Sequence, residues 1–280
     1  QPTKEKEKMM RVLIADQLSQ TVLESLQRAG CELQVDGSLK EAALTKALAK
    51  FNPEALIVRS TKVNAQHLAS AKSLALIIRA GAGTNTIDVE GASARGIYVA
   101  NCPGKNAIAV AELTIGHLIN ADRRIADNVA VLREHKWAKK EFGKARGLFG
   151  RTLAVLGAGK IGQEVIRRAQ VFGMTLRVWS RSFTPDKAKR LGVHYCSTPL
   201  EACTQADALT VHLASNRDTH HLVNETLLNA LNKGAYVINT SRGELIDTQA
   251  LIKACQNRQI RAGLDVFEDE PSASDQTFPN

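Results

Sequence analysis

Residues 155–165 read VLGAGKIGQEV, and the rest of the chain can be organised around this stretch. An apolar, strand-like run comes before it and an amphipathic, helix-like run after it, so Gly157, Gly159 and Gly162 stand in G-x-G-x-x-G spacing at a strand-to-helix junction. A glycine-rich turn alone says little. With a strand before, a helix after and a second strand, TLRVWS (175–180), at the right distance, it reads as a dinucleotide fingerprint. Gly157 permits the tight turn, Gly159 lets the backbone approach a pyrophosphate, and Gly162 lets helix and strand pack closely. The N–H groups that open the helix, around Lys160 and Ile161, are placed to meet phosphate charge.

The second strand should end in an acidic residue that accepts the ribose hydroxyls of NAD. It ends instead in Ser180, followed by Arg181 and Ser182. A carboxylate repels a 2′-phosphate, whereas a serine and an arginine can hold one. The expected cofactor is therefore NAD(P)(H), with NADP(H) favoured and NAD the alternative. The competing reading makes Arg181 a solvent-facing loop residue.

Outward from this loop, the strand-helix rhythm continues through ADALTVHL (206–213), AYVINTS (235–241) and IRAGLDVF (260–267). Upstream the same rhythm runs through RVLIAD (11–16), CELQV (31–35), EALIVRS (54–60), LALIIRAG (74–81) and IYVANC (97–102). Such alternation implies βαβ units and parallel sheets. The expected fold is α/β, with two doubly wound parallel-sheet domains. A flavodoxin-like substrate-binding domain spans 10–106, and a Rossmann nucleotide-binding domain spans 107–280. The second begins with a long helical stretch, 107–126 continuing to 137, expected to carry a hinge.

Composition narrows the function classes. With 280 residues and 44% hydrophobic content, the chain can bury two cores. It has no run of about 20 uninterrupted apolar residues and no apolar core of a secretory signal at its start, so a soluble, cytoplasmic protein without a membrane partner is expected. The five cysteines are odd in number and never in C-x-x-C spacing, which argues against both a disulfide framework and a metal site. A formal net charge of +9 with only 4% aromatics lacks the stacking residues of a nucleic-acid surface, so anionic small molecules are the expected partners.

Several motifs together resemble the D-2-hydroxyacid dehydrogenase family, most of all its phosphoglycerate dehydrogenase branch. They are IVRSTKV (57–63), RAGAGTNTID (79–88), NAIAVAELTIG (106–116), the nucleotide loop, INTSRGELID (238–247) and GLDVFEDEP (263–271). The resemblance implies that Arg242 grips the substrate carboxylate and orients the C2 oxygen, a task suited to a planar guanidinium. It implies that Asp265 meets the nicotinamide carboxamide, and that Ala214, Thr240 and Ser241 line the dinucleotide. Glu270 corresponds to the acidic partner of a catalytic histidine. Backbone N–H groups at Ala82 and Gly83 resemble a carboxylate cradle, and Arg59 and Ser60 match positions that help bind a phosphorylated substrate. Glu268 and Asp269 read as solvated loop charges, and so do His220 and His221.

The implied activity is hydride transfer between a nicotinamide and a D-2-hydroxy acid in a cleft between the domains. The best-matching substrate pair is 3-phosphoglycerate and 3-phosphohydroxypyruvate, a step of serine biosynthesis. Glyoxylate or hydroxypyruvate reduction and a non-catalytic, dinucleotide-sensing corepressor are the alternatives. The family's catalytic histidine lies beyond the glutamate, and none of the seven histidines occupies that place. The sequence is therefore expected to be truncated, to bind cofactor and to turn over poorly. A homodimer is expected from the resemblance of the 107–137 stretch to the family's dimer arm.

Overall fold

The computed structural model describes residues 9–271, which divide into two compact units, one running to Asn106 and one from Ala107. In the first unit the strands are β1 (Met10–Ile14), β2 (Cys31–Val35), β3 (Ala55–Val58), β4 (Leu76–Arg79) and β5 (Tyr98–Asn101). They form one parallel sheet in the order β2-β1-β3-β4-β5, the flavodoxin-like winding. Helices α1 (Gln20–Arg28), α2 (Glu41–Phe51), α3 (Ala65–Ser70) and α4 (Val89–Ser93) make the crossovers. The central strand β3 reads as an unbroken apolar run because both sheet faces are covered there. In β1, Val12 and Ile14 pack into one cluster with Ala55 and Ile57, while the intervening Leu13 joins Leu44, Leu56 and Ile77 in the other.

The second unit opens with α5 (Ala107–Arg123), α6 (Ile125–Arg133) and α7 (Lys139–Phe142). Its sheet contains β6 (Thr152–Leu156), β7 (Thr175–Trp179), β8 (His194–Tyr195), β9 (Ala208–Val211), β10 (Tyr236–Asn239) and β11 (Arg261–Leu264). Helices α8 (Lys160–Val171), α9 (Pro185–Leu191), α10 (Pro199–Cys203), α11 (Glu225–Ala230) and α12 (Thr248–Arg258) connect them. The parallel order β11-β10-β9-β6-β7-β8 is the Rossmann winding, reversing direction between β6 and β9. Leu153, Leu156, Ile166 and Leu209 are fully buried, each contributing about 1.5–3 kcal/mol through burial.

One sequence reading is corrected, and two features are added that it did not contain. The long helix is interrupted: α5 ends at Arg123, Arg124 sits in the left-handed region at φ 52°, and α6 begins anew. The Asn120 side chain holds the restart by accepting the Ala126 N–H (3.0 Å), while Arg124 reaches Asp127 (2.8 Å) and Glu141 (2.7 Å). The edge strand β8 was not read because it is two exposed residues with no apolar run. Arg151 is buried beside Asp122 (3.9 Å), with its guanidinium 4.8 Å from the Tyr236 ring centre, where a basic residue is ordinarily expected in solvent.

Asp122 anchors α5 to its unit. It is 2% exposed, accepts the Tyr236 hydroxyl (2.9 Å) and takes the Gly147 N–H at 3.0 Å. All five cysteines are free, and burial pushes the Cys203 thiol up to about 12, the behaviour of an inert packing residue. Among the described residues no helix is long and apolar enough to cross a membrane.

Candidate active site

In the second unit the strands end almost in line. Trp179, Leu156, Val211, Asn239 and Leu264 are matched across β7, β6, β9, β10 and β11. The residues that follow, Ser180, Gly157, His212, Thr240 and Asp265, therefore emerge along one carboxyl edge, where open α/β sheets bind ligands.

The glycine loop is built for close approach. Gly157 has φ 104°, and a Cβ there would run into the His212 carbonyl. A Cβ on Gly162 would overlap the Gly157 carbonyl, so α8 can pass this close only with glycine at that position. Gly159 is different: nothing lies within 4 Å of a Cβ built on it, and it forms the N-cap of α8 without a side chain to occupy the helix N–H groups. Lys160 and Ile161 form the first turn of that helix, with Ile161 partly packed into the core. This open, uncapped helix start suits an anion.

Beyond β7 lies a cavity of about 250 Å³ lined by Ala158, Gln163, Ser180, Ser182, Phe183, Lys187, Arg190 and Leu191. Among the described residues that line it, none is acidic. Arg181 is exposed beside it and is not one of the lining residues, whereas Lys187 and Arg190 are. Lys187 Nζ donates to the Ser182 carbonyl at 2.9 Å. Sequence reading missed both cations because they lie on α9, several residues past the strand end. Thr184, capping that helix through the Lys187 N–H (3.3 Å), and Pro185 in its first turn were the available signal.

After β10 the chain is fastened by Asn239, a residue sequence reading passed over. Its side chain, 1% exposed, accepts the Ser241 N–H (3.0 Å) and donates to the Arg242 carbonyl (2.8 Å), and its own carbonyl accepts the Asp265 N–H at 3.0 Å. Asn239 thus joins two segments, holding that of Arg242 through its side-chain amide and that of Asp265 through its main-chain carbonyl. An asparagine closing the apolar strand YVIN was the visible clue. Ser241 Oγ donates to the Val211 carbonyl (2.6 Å), and Thr240 Oγ1 shares a hydrogen bond with Thr114 (2.9 Å). Gly243 follows Arg242 because a Cβ would strike the Phe267 backbone. Arg242 is half-buried, and one guanidinium nitrogen donates to the Ser241 carbonyl (2.6 Å).

Asp265 and Glu270 are exposed, and Glu270 accepts the Phe267 N–H at 3.2 Å. Ala214 is exposed and its carbonyl accepts the Thr219 hydroxyl (2.7 Å). His212 shares a hydrogen bond with Thr210 Oγ1 (2.9 Å), and its Nδ1 is buried without a partner. Burial pushes its pKa down to about 4, so it is neutral at pH 7. Two residues read as solvated charges prove otherwise: His221 Nε2 hydrogen-bonds Glu268, and both are half-buried.

In the first unit, Arg59 and Ser60 follow β3, while Ala82 and Gly83 follow β4, again on one carboxyl edge. Asp16 organises the first pair. It accepts the N–H groups of Arg59 (2.6 Å), Thr61 (3.1 Å) and Ser60 (3.2 Å) and the Ser60 hydroxyl (2.8 Å). Burial pushes the Asp16 carboxyl upward, but these hydrogen bonds outweigh it and hold the pKa below the ordinary carboxylate value. The Arg59 side chain is exposed, and the Ala82 carbonyl accepts Asn101 Nδ2 at 2.7 Å.

The profile of the D-isomer specific 2-hydroxyacid dehydrogenase NAD binding domain matches residues 115–280. The D-3-phosphoglycerate dehydrogenase of Methanocaldococcus jannaschii is 37% identical over 265 residues, 94% of this chain and 50% of that protein. The glyoxylate reductase of Thermococcus litoralis is 37% identical over 233 residues, 80% of this chain and 70% of that protein. The chain spans about half the length of the curated phosphoglycerate dehydrogenases it matches. Among solved structures, the TT0316 protein from Thermus thermophilus aligns with TM-score 0.84 at 32% identity, covering 95% of this chain and 84% of that one. The holo form of Rhodotorula graminis D-mandelate dehydrogenase aligns with TM-score 0.86 at 25% identity over the same shares. The glycine loop, the Arg242 segment and these matches lead to one conclusion: the chain belongs to the D-isomer specific 2-hydroxyacid dehydrogenase family.

Proposed function

We propose that the chain transfers hydride between a nicotinamide dinucleotide and a D-2-hydroxy acid, with 3-phosphoglycerate and 3-phosphohydroxypyruvate as the preferred pair. The observation that carries the reading is the Asn239 clasp, which fixes Arg242 beside the segment of Asp265 on the edge that also presents the open Gly159 loop. The bound nicotinamide would supply the site that accepts or donates the hydride. The chain's own residues do the rest. Arg242 pairs with the substrate carboxylate and stabilises charge developing on the C2 oxygen. Asp265 orients the carboxamide, and Glu270 holds and charges the general acid/base partner. Gly157, Gly159, Lys160, Ile161 and Gly162 cradle the pyrophosphate, with Ala214, Thr240 and Ser241 along the dinucleotide. Arg59, Ser60, Ala82 and Gly83 receive the acid and its phosphate.

NADP(H) is the preferred cofactor in this reading. Ser180, Arg181, Lys187 and Arg190 offer a 2′-phosphate a polar, cationic setting free of lining carboxylates. Exposed Ile125, Val129, Leu132 and Trp137 support a homodimer built on α5 and α6, and the free cysteines support a reducing, cytoplasmic setting. The glyoxylate reductase relative favours glyoxylate or hydroxypyruvate as the second reading.

The test is turnover of 3-phosphohydroxypyruvate, glyoxylate and hydroxypyruvate, assayed on this chain and on a version extended past Asn280 with a histidine-bearing segment. The expected result is highest kcat/KM for the phosphorylated acid and a loss of about 10²–10³-fold in kcat in Arg242→Ala. Preference for glyoxylate would move the assignment to the second reading. Tight dinucleotide binding with negligible turnover of every acid would favour a dinucleotide-sensing corepressor.

A further inference from the structure

We propose that His220, His221 and Glu268 form a binding site for one divalent transition-metal ion of the zinc class. One ligand atom from each residue lies within 4.8 Å of the other two. The two imidazoles stack, with ring centres 4.0 Å apart and planes inclined by 28°, so their edges can converge on one point. His221 Nε2 already hydrogen-bonds Glu268 Oε1. The other oxygen, Oε2, accepts the Thr248 N–H at 3.2 Å, so the carboxylate is oriented before any ion arrives.

The backbone is prepared as well. His221 is held in the left-handed region, φ 50°, an uncommon place for a residue with a side chain, by its N–H bond to the Glu244 carbonyl (2.8 Å). The loop leading to it is tied down by Thr219, whose hydroxyl donates to the Ala214 carbonyl and accepts the Asn216 N–H (2.9 Å). His220 is exposed while His221 and Glu268 are half-buried, so an ion can enter from solvent and keep water in its remaining positions.

Two imidazoles and one carboxylate suit zinc, cobalt, nickel or copper, whereas magnesium and calcium prefer all-oxygen shells. Ligand bonds of about 2.0–2.2 Å place the donors of a tetrahedral ion roughly 3.4 Å apart. His221 Nε2 and Glu268 Oε1 are in hydrogen-bond contact, closer than that, so they part slightly around an ion while rotation of the exposed His220 side chain closes the site. The ion replaces the hydrogen bond between His221 and Glu268, with the neutral imidazole ligating through Nε2 and carrying its proton on Nδ1. An ion bound here ties the loop after β9 to the segment that carries Asp265 and Glu270. The site does not depend on the hydride-transfer reading.

The experiment is calorimetric titration of the EDTA-stripped chain with zinc chloride, together with absorption spectra of the cobalt(II) form. His220→Ala, Glu268→Gln and Cys102→Ser are compared, and thermal unfolding in EDTA confirms that each variant folds. Cys102 is the exposed thiol that offers the competing ligand. The expected result is one ion per chain, affinity weakened by about tenfold or more in His220→Ala and in Glu268→Gln, no change in Cys102→Ser, and a cobalt spectrum without thiolate charge-transfer bands. Absence of uptake, uptake indifferent to both ligand variants, or a thiolate band would overturn the proposal.

Discussion

Replacing His212 with glutamine should flatten the acid limb of the stability profile. His212 leaves the end of β9 beneath the glycine loop, where burial lowers its pKa from 6.5 to about 4. Between those values the unfolded chain takes up a proton that the folded chain refuses, so stability falls as pH falls through that window and is unaffected above it. At about 1.4 kcal/mol per pH unit, the gap sets a ceiling of about 3 kcal/mol on the loss. Glutamine can keep a hydrogen bond to Thr210 but cannot take up the proton. The assay is urea denaturation of both proteins at neutral pH and at about pH 4.5, with carboxylates such as Asp16 contributing equally to each. The wild-type chain should lose more stability than the variant, by up to the ceiling. Equal losses would refute the claim that a neutral, desolvated imidazole supports this loop.

Asp122→Ala should cost about 3–5 kcal/mol, because it strands the buried Arg151 guanidinium without its counter-charge. Chemical denaturation checks this, and a loss below about 1 kcal/mol would show that the pair is dispensable. Tyr236→Phe, which removes only the hydroxyl that donates to Asp122, should cost about 1 kcal/mol in the same assay. Asn239→Ala should lower kcat far more than it raises KM, since it frees the backbone of Ser241 and Arg242, while the main-chain bond to Asp265 stays, without removing a group that touches substrate. An unchanged kcat would show that Arg242 is held by other means.

The two windings were legible because their central strands, such as β3, β9 and β10, are buried on both faces and appear as continuous apolar runs, and because Gly157 and Gly162 occupy positions where a Cβ cannot fit. What escaped reading was set by tertiary contact. Arg124 breaks the α5–α6 stretch without the glycine or proline that would announce it, and the break is held by side chains of Asn120, Asp127 and Glu141. Lys187 and Arg190 reach the cavity beyond Ser180 only because α9 folds back over it. Asn239 looks like the last residue of a strand until its three partners are seen. His221 and Glu268 are 47 residues apart, so local polarity alone suggested two solvated charges.

The most direct test of the account is a side-by-side fluorescence titration of the chain with NADPH and NADH, repeated with Arg181→Ala, Lys187→Ala and Gly162→Val. The account predicts saturable binding that favours NADPH, loss of that preference when either cation is removed, and no binding in the valine variant. Equal or tighter binding of NADH would contradict the 2′-phosphate assignment, and undiminished binding by Gly162→Val would contradict the placement of the dinucleotide on the Gly157–Gly162 loop.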